Sequence, residues 1–168
     1  MLNEIKLNEH IRVYFKNSNG SHSLLPLKIN DEFMLCAVDD VFMFDGYTIV
    51  RLEDIEEIHI RPKYREMLKG EKVFDNIETP NVNIDSWKDI FNFLYALNEN
   101  IILECDDLSE NNFFVGRIEK VMDYGVTFRA FDTNGDWDKD ASVLSYAHIT
   151  SVTFQSRYIN VFSKYLNN

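Results

Sequence analysis

Hydrophobic residues along this chain alternate with polar ones in short runs, and at a few places the spacing changes from two to three or four. Alternation sends successive side chains to opposite faces of a strand. On that pattern, segments 11–15, 23–29, 33–38, 41–44, 47–52 and 55–60 read as strands, as do 101–105, 113–121, 126–131, 142–146 and 149–154. Turn formers separate them, among them Asn17 to Gly20, Asp45-Gly46 and Asn134-Gly135. Trp87, Ile90, Phe91, Leu94 and Leu97 recur at helical spacing, which predicts a helix over 86–99 with Asp85 or Ser86 as its cap. After the strand 149–154, Tyr158, Val161, Phe162 and Tyr165 recur at three or four and predict a C-terminal lid helix. Its Tyr158 is expected to bury its ring and reach a backbone group with its hydroxyl.

The chain also resembles itself. Setting Asp54 over His148 aligns Ile55 with Ile149, Ile58 with Val152, Tyr64 with Tyr158 and Leu68 with Phe162. A second block sets Phe33 over Phe113, Val38 over Ile118 and Val41 over Val121, leaving 14 extra residues in the second half. This self-similarity predicts two diverged copies of one module. The expected fold class is mainly β with helices (α+β): two tandem small barrels of the Sm-like or SH3-like kind, joined by a helix and closed by the lid helix. One copy would occupy 1–74. The other, 75–168, would begin with a linker carrying Pro80 and include the helix 86–99.

A helix followed by a five-stranded bent sheet, with Gly116 inside "FFVGRIEKV" and a short turn before the last strand, resembles the Sm-like (LSm) family. The resemblance covers 86–154 best and 11–60 more loosely. It implies a small β-barrel and, through the family, RNA binding. The family's RNA-binding positions do not match: Asp123 has no Asn behind it, and His148 stands where a basic pair is expected.

Charge narrows the functions. Seventeen basic against 28 acidic residues give −11, which repels nucleic-acid phosphates and anionic membranes and favours a basic protein partner. No stretch approaches the roughly 20 apolar residues of a membrane span, so a cytoplasmic protein is expected. Cys36 and Cys105 sit in apolar runs as small core residues.

No GxSxG, P-loop, GxGxxG or HExxH pattern is present, and His10, His22, His59 and His148 are scattered. Neither a catalytic residue nor a cofactor is predicted. "DTNGDWDKD" places oxygens at Asp132, Asn134, Asp136 and Asp138 like the start of a calcium loop, but Trp137 and Val143 occupy positions where such a loop needs Gly and Glu. A hairpin closed by Asn134-Gly135 is the preferred reading. As a partner-binding tip it would offer Asp132, Asp136, Asp138 and Asp140 around Trp137. The leading expectation is therefore a non-catalytic acidic protein-binding module, one form being a bacterial immunity or inhibitor protein against a basic toxin or nuclease. The alternatives are an RNA-binding Sm-like protein, using Phe128-Arg129 and Arg157-Tyr158, and a small-molecule sensor with its cleft between the lobes.

Overall fold

The computed structural model describes residues 5–16, 20–106 and 112–167, so the turn expected over 17–19 lies outside the described residues. The chain divides into two compact units, residues 1–81 and 82–168.

The first unit runs β1 (Ile11–Phe15), β2 (Ser21–Ile29), β3 (Phe33–Asp39), β4 (Phe44–Arg51), a single 3-10 turn (Leu52–Asp54), β5 (Ile55–His59) and α1 (Pro62–Gly70). Its strands are antiparallel in the order β5-β1-β2-β3-β4. Ile11, Val13, Leu24, Met34, Cys36 and Val50 make its core, the inward set that alternation predicts. Pro26 cannot donate to a ladder, and the register of β2 on β3 shifts immediately after it. Tyr47 donates its hydroxyl to the Glu78 carbonyl at 2.6 Å, which ties the irregular stretch after α1 to β4.

The second unit runs α2 (Trp87–Leu97), β6 (Ile101–Cys105), β7 (Phe113–Val121), β8 (Gly125–Ala130), β9 (Ser142–Ser145), β10 (Ile149–Phe154) and α3 (Arg157–Phe162). Its order is β10-β6-β7-β8-β9, again antiparallel. Ser86 caps α2 by accepting from Asp89 N, and Asn98 ends it in the left-handed conformation at φ 55°. Ile90, Phe91 and Leu94 of that helix are buried, as are Leu103, Phe128, Val152 and Phe154. Gly116 is required by close approach: a Cβ there would lie 2.0 Å from the Arg129 carbonyl oxygen.

The two closed barrels expected from the sequence do not form. The ten strands make open antiparallel sheet, with no pairing of β5 to β4 or of β10 to β9 within either unit among the described residues. Strand alternation and short turns are common to barrels and open sheets, whereas closure depends on tilt and stagger, which the pattern does not encode. In the first unit the 3-10 turn, pinned by a bidentate pair from Arg51 to Asp54 at 2.7 and 3.1 Å, carries the chain away from β4 so that β5 pairs with β1.

Three further expectations change. The offset that sets Phe33 over Phe113 matches β3, third in its unit, with β7, second in its unit. Runs of apolar strand residues look alike, and only the pairing register separates them. The segment 41–44 is a turn up to Met43: Asp40 and Met43 exchange backbone hydrogen bonds at 2.8 and 3.2 Å. Finally, α3 buries Ile159 rather than the Tyr158 and Val161 face, and Tyr158 stays 47% exposed.

Candidate functional site

The hairpin proposed as a binding tip is largely occupied with holding itself. Asp132 accepts backbone N–H bonds from Asp136 at 3.0 Å and Asn134 at 2.8 Å, the first being the larger cause that keeps its carboxyl below the usual range. Asp136 accepts from Asn167 Nδ2 at 2.7 Å, and Asn167 N donates to the Gly135 carbonyl. Arg129 pairs with Glu119 and donates to the Asp138 and Lys139 carbonyls. Trp137 bridges to Phe131, meets its ring edge-on at 5.2 Å and lies under the Arg117 guanidinium at 4.7 Å. Its ring is therefore half-buried on its own unit. The carboxylates of Asp132, Asp136, Asp138 and Asp140 remain exposed. Asp132 serves as a turn-former here, and among the described residues no three His, Cys, Asp or Glu side chains group to hold a metal ion.

A second constellation lies in the first unit, on residues that belong to no sequence motif. Asp39, at the end of β3, is 5% exposed and is a convergence point. Its Oδ2 accepts from Ser23 Oγ of β2 at 2.9 Å and from Tyr64 OH of α1 at 2.6 Å, and its Oδ1 accepts from Phe42 N at 2.8 Å. His10 Nε2 lies 2.7 Å from Ser23 Oγ. Because the Ser23 proton goes to Asp39, the serine accepts from His10, which makes Nε2 the protonated nitrogen and leaves Nδ1 a bare, buried lone pair. Burial lowers the His10 pKa to about 4, outweighing the opposing pull of Asp39.

Serine, histidine and aspartate in contact invite a comparison with a hydrolytic triad, and the geometry decides against it. A triad needs the carboxylate on Nδ1 and the serine proton on Nε2. Here the carboxylate takes the serine proton itself, and an imidazole of pKa about 4 is a poor base at neutral pH. The network instead secures the β3–β4 turn. Val41 and Phe42 both have positive φ, 48° and 65°, as the two central residues of a type I′ turn that ordinarily takes Asn and Gly. For a β-branched and an aromatic residue that is strained backbone, costing about 1–3 kcal/mol each. The strained turn carries an apolar tip into solvent: Val41 is 76%, Met43 47% and Phe44 38% exposed, between Asp40 and Asp45.

The first unit also holds a cavity of about 390 Å³. Its apolar walls come from Leu25 and Leu27 of β2, Leu68 of α1, and Phe74 and Ile77 of the irregular stretch. Arg65 and Lys69, one turn apart on α1, line it as well.

The remaining predicted positions do not converge. His59 meets Glu57 at 2.7 Å on the surface, and His148 lies 4.0 Å from Asp106. Both cysteines are buried, and burial pushes the thiol of Cys36 well up and that of Cys105 up to about 12. Of the pairs nominated for RNA, Phe128 is 1% exposed with Arg129 in an ion pair, while Tyr158 is exposed but packs on Phe162 at 5.6 Å. Compared with protein-family models, with curated proteins and with solved structures, the chain matches none, so the Sm-like resemblance gains no support.

Proposed function

We propose that this protein is a non-catalytic protein-binding module for a basic partner, anchored through the β3–β4 tip of the first unit. The strained turn is the observation that carries this reading. Two residues poorly suited to positive φ are held there by a buried aspartate, and the result is a set of exposed apolar side chains, of which Phe44 meets Tyr47 edge-on at 5.2 Å while Val41 stands furthest into solvent. Strain maintained by surrounding structure is most often tied to function. A tip of Val41, Met43 and Phe44 between two aspartates fits an apolar pocket with a basic rim. The net charge of −11 and the exposed carboxylates of 132–140 would then speed encounter without supplying the anchor. One form of such a module is an inhibitor that masks the cationic site of a toxin or nuclease. The shared strand order of the units supports reading them as diverged copies, of which the first carries the tip.

The test uses partner capture from the source cells with three baits: wild type, Val41→Asn with Phe42→Gly and Met43→Ser, and the four aspartates of 132–140 replaced by asparagine. A basic protein retained by wild type and lost with the tip variant supports the reading. With that partner in hand, the asparagine variant should associate more slowly at low salt and converge with wild type at high salt. A partner retained equally by the tip variant places the interface elsewhere.

A further inference from the structure

We infer that the cavity of the first unit is a binding site for a small amphipathic monocarboxylate, an alkyl or aryl-alkyl acid. This site is separate from the β3–β4 tip and independent of the docking reading.

The cavity is not a by-product of the fold. The pairings Val13↔Ile58 and Leu103↔Val152 place β5 and β10 at an equivalent register, and the same offset of 94 carries Arg65 onto Ile159. In the second unit that position is an apolar side chain, 2% exposed. In the first unit it is an arginine beside a hollow. The same strand order thus accommodates a buried isoleucine there, and the first unit replaces it with a cation whose side chain is only 19% exposed. Partly burying a guanidinium carries a desolvation cost unless its donors are met.

Two of those donors are met. Arg65 Nε donates to the His10 carbonyl at 2.7 Å and Nη1 donates to Glu9 Oε2 at 2.8 Å, which fixes the fork in place. The other three N–H groups have no partner among the described residues, and Lys69 makes no ion pair there. A planar fork with open donors matches a carboxylate, and the ammonium one turn along adds charge on the same side. Beneath them Leu25, Leu27, Leu68, Phe74 and Ile77 offer an apolar bed for a hydrocarbon tail. The volume, about 390 Å³, lies within the range of small-molecule sites.

The acidic lining residues choose the head group. Glu9 is already paired with Arg65, and Asp75 is exposed at the edge, where water screens it. A monoanion can meet the cations at small cost from these two; a dianionic phosphate doubles attraction and repulsion alike and has more hydration to lose beside an apolar bed, so the flat carboxylate is the better match to the guanidinium fork. An amine would find Asp75 alone and face Lys69.

Calorimetric titration of the full chain with octanoate and 4-phenylbutyrate, against octanol and octylamine, tests the assignment. Octanoate should bind saturably and at least about tenfold more tightly than octanol, the value of one good charge-assisted contact. Lys69→Glu, on an exposed side chain, should weaken octanoate several-fold and leave octanol unchanged. Leu27→Trp should block both acids while circular dichroism keeps the wild-type spectrum. The assignment is overturned by equal affinity for octanol, by tighter binding of octylamine, by undiminished binding in Leu27→Trp, or by no saturation with octanoate at millimolar concentration.

Discussion

Two corners, one in each unit, occupy the same place in the strand order and are built from opposite chemistry. The pairings Ile11↔Leu24 and Leu24↔Val38 in the first unit correspond to Ile101↔Gly116 and Gly116↔Ala130 in the second. One residue beyond these pairs stand His10, Ser23 and Asp39 in the first unit, and Asn100, Val115 and Phe131 in the second. The first corner is a buried hydrogen-bonded network closed by Tyr64. The second is an aromatic stack in which Phe131 meets Phe162 at 5.2 Å and Trp137 at 5.2 Å, while Asn100 bonds to Ser163 at 2.8 Å. The strand order therefore does not require the polar network, because apolar packing fills the same corner. What the polar version adds is a directed hold on one strained turn; a hollow lies beside it, and at the aligned position in the second unit Ile159 is buried.

The comparison breaks most readily on its aromatic side. Phe131→Ala removes a side chain that is 7% exposed and touches two other rings, and should cost about 3–5 kcal/mol. Asp39→Ala strands two hydroxyls and a backbone N–H and should cost about 2–3 kcal/mol. Urea melts of both variants check the order. A neutral Asp39→Ala would show that the network is decoration on an already stable corner.

Acid distinguishes the corners next. His10 has a folded pKa of about 4 against 6.5 unfolded, so the unfolded chain takes the proton first as pH falls. The stabilisation from keeping it neutral is complete above pH 6.5, declines between 6.5 and about 4, and falls no further below that. It amounts to about 3 kcal/mol over that window. Asn100, at the matching place, does not titrate. His10→Asn should flatten the pH dependence between 6.5 and 4 relative to wild type, measured as the denaturation midpoint at each pH. An unchanged slope would mean that the imidazole is open to water.

Relieving the strain sharpens the comparison from the other side. Val41→Asn with Phe42→Gly suits the type I′ geometry and should raise stability by about 1–2 kcal/mol, read as a higher thermal midpoint. A loss instead would show that the tip side chains support the unit they project from. The smallest effect compares the two tyrosines at the strand-to-helix joints. Tyr64→Phe forfeits a bond to a carboxylate and should cost about 1–2 kcal/mol, whereas Tyr158→Phe should stay within about 0.5 kcal/mol. Equal costs would make the joints equivalent after all.

Much of this was legible in the residues. The alternating runs mark every strand among the described residues, and Trp87, Ile90, Phe91 and Leu94 mark the buried face of α2. Val152 and Phe154 are fully buried on the face that alternation assigns them, and Ile149, out of phase with them by one residue, is buried as well through a register shift between Ile149 and Ser151. The segment 41–44 misled because Val, Phe and Met carry no turn signal; a turn enforced by Asp39 through Phe42 N is a tertiary fact. Tyr158 misled because a helix of six residues is too short for periodicity to choose between adjacent faces.

The candidate sites divide in the same way. The turn at 132–135 follows from local residues, Asp132 accepting from Asn134 N and Asp136 N and Gly135 supplying the positive φ of 84°. The Asp39 network and the Arg65 cavity draw on positions far apart in sequence, 13 residues from His10 to Ser23, 16 from Ser23 to Asp39 and 25 from Asp39 to Tyr64. The sequence by itself determined where the ten strands and α2 lie to within a few residues, because side-chain period and turn chemistry act over a few neighbours. Only the tertiary structure decided that the sheet stays open, which strand pairs with which, and which corner is polar, because these depend on hydrogen bonds and packing between residues that no local pattern relates.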